Sequence, residues 1–76
     1  MKSEHQAIKK IIELGDYYII KIINGEKDYD GQIVGINNNS LVIEYWNAVK
    51  GNLCETKIKF SDIEEIWALE EIVWGK

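Results

Sequence analysis

The chain has 76 residues, 46% hydrophobic and 29% charged, the balance of one small globular domain rather than a disordered segment. A net charge of −4, with all nine basic residues lysine, argues against a wide basic face gripping a nucleic-acid backbone and leaves room only for a local site of a few lysines. The single cysteine, Cys54, excludes an internal disulfide and multi-cysteine zinc sites. No apolar run is long enough for a membrane span, and no signal-like core follows Met1, so a cytoplasmic location without a membrane partner is expected.

In chain order, a helix is predicted over about 3–14. Ser3 and Gln6 form a capping box, Glu4 and the pair Lys9, Lys10 suit the two ends of the macrodipole, and Ala7, Ile8, Ile11 and Ile12 make one apolar stripe that ends before Gly15. Strands follow from residue 16. Residues 17–23 are β-branched and aromatic, Asn24-Gly25 signals a tight turn, and the strand at 29–36 carries Gly31 and Gly35, which mark a sharp bend. After a turn at 37–40, residues 41–46 alternate. A loop at 47–52 leads to 53–60, where Cys54, Thr56, Ile58 and Phe60 face one way and Glu55, Lys57 and Lys59 the other. Residues 63–74 admit two readings. Ser61 with Glu64 makes a capping box and Ile63, Ile66 and Trp67 fit helical spacing. Glu70 on that same face, and the alternation at 66–69, favour a half-turn at 61–63 followed by a strand.

A helix followed by five short, bent strands is the order of the Sm-like fold, a variant of the SH3-like barrel. The stretch 22–33, with Asn24-Gly25 and then Gly31-Gln32-Ile33, resembles the first Sm motif, especially that of the bacterial Hfq branch. Residues 57–63, Lys-Ile-Lys-Phe-Ser-Asp-Ile, resemble the second. The similarity covers roughly residues 3–67. YolD-like and Rof-like barrels share the strand order. The expected fold is therefore mainly β, a single domain over 1–76, with the N-terminal helix followed by a five-stranded, strongly bent SH3-like or Sm-like barrel over about 16–74. The resemblance implies ring assembly, with the fourth and fifth strands of neighbours pairing edge to edge. It does not carry over the family's RNA-binding residues. Lys59-Phe60-Ser61 stands in place of the Tyr-Lys-His signature, Asn37 in place of an aspartate and Leu41 in place of an asparagine.

No catalytic set is visible, since a nucleophile or general base needs a partner within reach. Cys54 reads as a small inward hydrophobe, and His5 lacks companions for a metal. No enzyme, cofactor or metal is expected. Residues 26–37 mimic a calcium loop at Glu26, Asp28, Asp30, Gly31 and Ile33, but Asn37 replaces the bidentate glutamate and flanking helices are missing, so a polar hairpin is expected. The 38–40 sequon reads as a turn.

Three tryptophans and four tyrosines exceed what so small a core encloses. Tyr45, Trp46, Trp67 and Trp74 are the expected self-association interface, with Trp67 beside an unpaired final strand. Glu64, Glu65, Glu70 and Glu71 form an expected acidic patch. The loops at 37–40 and 59–62 are the expected ligand site, with Asn37 reading a base edge, Asn39 among the binding residues, Lys59 on a phosphate and Phe60 stacking. The expected function is a non-enzymatic, homo-oligomeric module binding RNA or a nucleotide-like ligand. Two other readings stay open: an acidic, phage-type regulator that inhibits a basic host protein, and a sponge that encloses a small anionic nucleotide between subunits.

Overall fold

Isoleucines at alternate strand positions and at Ile8 and Ile12 of the helix define one apolar interior. The computed structural model describes residues 2–25 and 28–76. Helix α1 (Lys2–Ile11) precedes β1 (Tyr17–Ile22), β2 (Asp28–Ile36), β3 (Ser40–Asn47) and β4 (Asn52–Lys59). A single 3₁₀ turn, η1 (Phe60–Asp62), then leads to β5 (Ile63–Ala68) and β6 (Glu71–Gly75). Every strand pairing is antiparallel, and the order is β4-β3-β2-β1-β5-β6 in one unclosed sheet.

The chain is thus mainly β, but it has six strands in an open sheet where five in a barrel were expected. The extra strand arises within 63–74. Leu69 and Glu70 both take left-handed backbone angles, with φ of 51° and 68°, and fold the segment into a hairpin. The segment is strand and not helix, and the Ser61 half-turn is η1. The helix ends earlier than expected, at Ile11. The Ile12 N–H still donates to the Ile8 carbonyl at 3.0 Å, but the Glu13 N–H turns away to the Tyr18 hydroxyl at 3.1 Å. Gly15, at φ 92°, completes the connection. The capping side chains of Ser3 and Glu4, and Glu26 and Lys27 of the polar hairpin, lie outside the described residues.

The bend in β2 has two causes. A Cβ at Gly31 would collide with the Glu44 carbonyl oxygen, so only glycine lets β3 come this close. Two positions on, Ile33 pairs with Ile43 while Gly35 pairs with Val42, leaving Val34 as a bulge. The bent sheet and α1 enclose Ile8, Ile12, Tyr18, Ile20, Ile33, Leu41, Ile43, Ile58, Phe60, Ile63 and Ile66. Among the described residues no helix is long and apolar enough to cross a membrane.

Candidate functional site

The turn between β2 and β3 is built on Asn37 and Ser40. The Asn37 N–H donates to the Ser40 carbonyl at 2.8 Å, and its amide nitrogen donates to the buried Ser40 hydroxyl at 3.4 Å. This leaves Asn38 and Asn39 exposed at the tip. The Asn39 carbonyl accepts the Phe60 N–H at 2.9 Å, and Ser40 pairs with Lys59, so the turn is locked to the start of η1. Burial of Ile8 and Ile12 fixes how α1 sits over the same place. His5 meets Phe60 edge-on, with ring centroids 5.6 Å apart at 66°. One helical turn on, Lys9 Nζ donates to Asn38 Oδ1 at 3.3 Å. His5, Gln6, Lys9, Asn38 and Asn39 line a groove of about 440 Å³. Among the described residues its lining combines three side-chain amides, each a donor and an acceptor, with an imidazole and an ammonium.

Of the expected ligand residues, Asn39 lines this groove. Asn37 sits in the same turn but is engaged with Ser40. Lys59 is exposed, opposite Ser40 and directly before η1. The stacking role expected of Phe60 is corrected: it is 1% exposed and belongs to the core, so no base can lie on it. Asn38 falls within the expected loop at 37–40, although no role was assigned to it; His5, Gln6 and Lys9 of α1 were missed. The only sequence signal was the i, i+4 spacing of His5 and Lys9 on one helix side, because the residues they face lie far away in the chain.

The aromatic residues separate into three settings. Tyr45 is half-buried and meets Tyr29 edge-on at 5.1 Å. Trp46 is 62% exposed, opposite Leu53 on the outer face of the sheet, where Tyr17 at 68% exposure lines the same shallow depression. Trp67 is half-buried. Its indole N–H donates to Glu65 Oε1 at 2.9 Å, and Lys21 Nζ lies 5.3 Å from the centre of its ring. Trp74 is half-buried on β6, opposite Ile66. The expected free edge beside Trp67 is corrected, because β5 is flanked by β1 on one side and by β6 on the other.

The four glutamates divide into two groups. Glu65, engaged by Trp67, sits with Glu64 at the start of β5, while Glu70 and Glu71 are exposed at the far turn. Asp28 and Asp30 of the calcium-loop-like stretch lie on strand β2. Cys54 is on the inward face as expected but half-exposed, its thiol donating to Asn52 Oδ1 at 3.3 Å.

A larger gap, about 570 Å³, opens where the sheet fails to close. It runs beside Thr56, Lys57 and Ile58 of β4 and faces Ile22, Tyr29 and Asp62. No family model, curated protein or solved structure matches the chain.

Proposed function

We propose that the chain is a small non-enzymatic binding module of the Sm-like barrel class, one that self-associates and takes single-stranded RNA or a nucleotide-like ligand in the groove between α1 and the asparagine turn. Support for the class comes from the helix preceding the strands, the β4-β3-β2-β1-β5 order within the sheet and the glycine-dependent bend of β2. The strand β6 is an addition to that order. The observation that carries the binding reading is the convergence of Asn38, Asn39, Gln6, His5 and Lys9 on one groove; Lys59, paired in register with Ser40 of the same turn, is the nearest lysine of β4 in that register. Exposed amides can match the donor and acceptor pattern of a base edge, while ammonium groups attract the phosphate that follows.

Fluorescence anisotropy with labelled oligouridylate, oligoadenylate and single nucleotides tests this reading. Binding should fall at least tenfold in Lys9→Glu and in Asn39→Ala, the loss of about 1.4 kcal/mol. The salt dependence should be shallow, a log–log slope of about −1.4 to −2, as two or three phosphate contacts require. A steep slope with tight duplex binding contradicts it.

The regulator reading draws on Glu70 and Glu71, which stand at an exposed turn, but the separation of the two glutamate groups weakens it. If basic-protein binding rather than RNA binding survives Lys9→Glu and fails in Glu70→Gln/Glu71→Gln, that reading replaces ours. The sponge reading is the case in which only single nucleotides bind.

A further inference from the structure

We infer that the outer edge of β4 pairs with the β4 of a second copy, antiparallel and two-fold symmetric about Thr56. This deepens the self-association part of the proposed function; it shares Lys59 with the ligand reading and requires nothing of the groove-lining residues His5, Gln6, Lys9, Asn38 and Asn39. The edge that the Sm-like resemblance would pair with β4 is β5, and β5 is occupied on both sides by β1 and β6. That leaves the sheet two ends, β4 and β6. They are unequal. β6 has five residues, and its pairing with β5 is interrupted by a register shift at Ile66/Trp67. β4 has eight residues and pairs with β3 without a bulge, from Ser40 opposite Lys59 to Asn47 opposite Asn52. It contains no proline, and the open gap borders it at Thr56, Lys57 and Ile58. A long, regular edge of this kind is a template for another strand.

The charges choose the strand and the register. Glu55 and Lys57 are exposed two positions apart, hence on the same face of β4. Antiparallel pairing centred on Thr56 sets each Glu55 opposite the second copy's Lys57, twice over. Centring on Glu55 or on Lys57 sets that residue against itself, and parallel in-register pairing does so for both. Glu55 also stands opposite Glu44 of β3, a like-charge pair that is unfavourable alone. A lysine arriving on its other side offsets that repulsion. In the same register Leu53 lies opposite Lys59, whose methylene stem covers it. On the inward face Cys54 meets Ile58, and Thr56 meets its own copy.

Sedimentation over a range of concentrations, with far-UV circular dichroism on each sample, tests the inference. The parent should dimerise. Lys57→Glu should weaken the dimer at least tenfold, since it sets two glutamate pairs face to face. The exchange Glu55→Lys/Lys57→Glu should restore it. A second route does not depend on charge. In Cys54→Ser/Thr56→Cys the new thiols face each other across the axis and should oxidise to a covalent dimer. Parent Cys54, about 14 Å from its copy in this register, should not. A parent that stays monomeric up to about 1 mM, the weak end of specific association, overturns the proposal. So does a dimer indifferent to the charge exchange, or a Cys54→Ser/Thr56→Cys variant that forms no crosslink. Anisotropy on the same variants separates the two readings: loss of RNA binding with charge rescue intact removes the groove alone, and lost rescue with RNA binding intact removes the edge alone.

Discussion

Gly31 and Tyr18 each join two elements, Gly31 by close approach of β2 to β3 and Tyr18 by hydrogen bonds from β1 to the end of α1. At Gly31 the obstacle is backbone, the Glu44 carbonyl, and a neighbouring strand cannot swing aside as a side chain can. Gly31→Val should therefore lower stability by about 1–3 kcal/mol or more, read as an earlier urea midpoint; an unchanged midpoint means that β3 does not approach this closely. Tyr18 sits under the end of α1, its hydroxyl accepting from the Glu13 N–H at 3.1 Å and donating to the Ile11 carbonyl at 3.3 Å. Burial pushes its phenol above the usual tyrosine value, reinforced by the Asp16 and Glu13 carboxylates and opposed by the Glu13 N–H. The folded chain thus keeps a proton that the unfolded chain has released. This contribution is complete below about pH 10 and is lost as pH rises through the higher folded value. Tyr18→Phe should melt lower at neutral pH, by the equivalent of about 1 kcal/mol, and lose less stability than the parent above pH 10. Parallel alkaline curves for the two proteins refute the assignment. The need for glycine at position 31 was legible as a glycine inside a β-branched strand. The burial of Phe60 was legible too, as part of an alternating face with Ile58, but its place in a resembling motif drew it toward the ligand.

The turns at Asn24-Gly25, 37–40, 47–52 and 61–63 were readable in outline, and the turn at Leu69-Glu70 was not. Asn24, at φ 58°, lies in a turn after β1 held by the Gly25 N–H to Ile22 carbonyl bond of 3.0 Å, one residue earlier than an Asn-Gly centre would put it. The β5–β6 turn has Leu69 and Glu70 in the same left-handed region, where side chains crowd the following carbonyl. Nothing in Ala68-Leu69-Glu70-Glu71 signals that break, so 63–74 reads as one strand. The same mismatch predicts an improvement. Leu69 is 96% exposed, so Leu69→Asn/Glu70→Gly gives up no packing and relieves two strained residues. It should raise stability by about 1 kcal/mol or more in thermal or urea unfolding. A neutral or negative result means that the turn is not of this type. The groove was the least legible feature. Lys9 and Asn38 are 29 positions apart, and only the packing of Ile8, Ile12 and Phe60 brings their elements together.

For the whole molecule, charge and topology set different limits. A net charge of −4 without arginine confines any RNA contact to a small site, and among the described residues the lysine that lines the groove is Lys9 on α1. The sixth strand covers the β5 edge and leaves β4 and β6 as the ends of the sheet, so the self-association we propose uses β4 while the groove lies between α1 and the turn at 38–39. Trp67 lies within the sheet rather than at its edge. Its strand is paired with β1 and β6, and Glu65 and Lys21 engage its indole, so the free edge expected beside it is absent. The measurement that tests the proposed function most directly is a two-dimensional amide NMR titration of the labelled protein with a short single-stranded RNA. The predicted shifts and broadening concentrate at Gln6, Lys9, Asn38, Asn39 and Lys59, leaving the β5–β6 turn at Glu70 and Glu71 unmoved. Shifts centred on that turn, or none at RNA concentrations well into the millimolar range, would contradict the account.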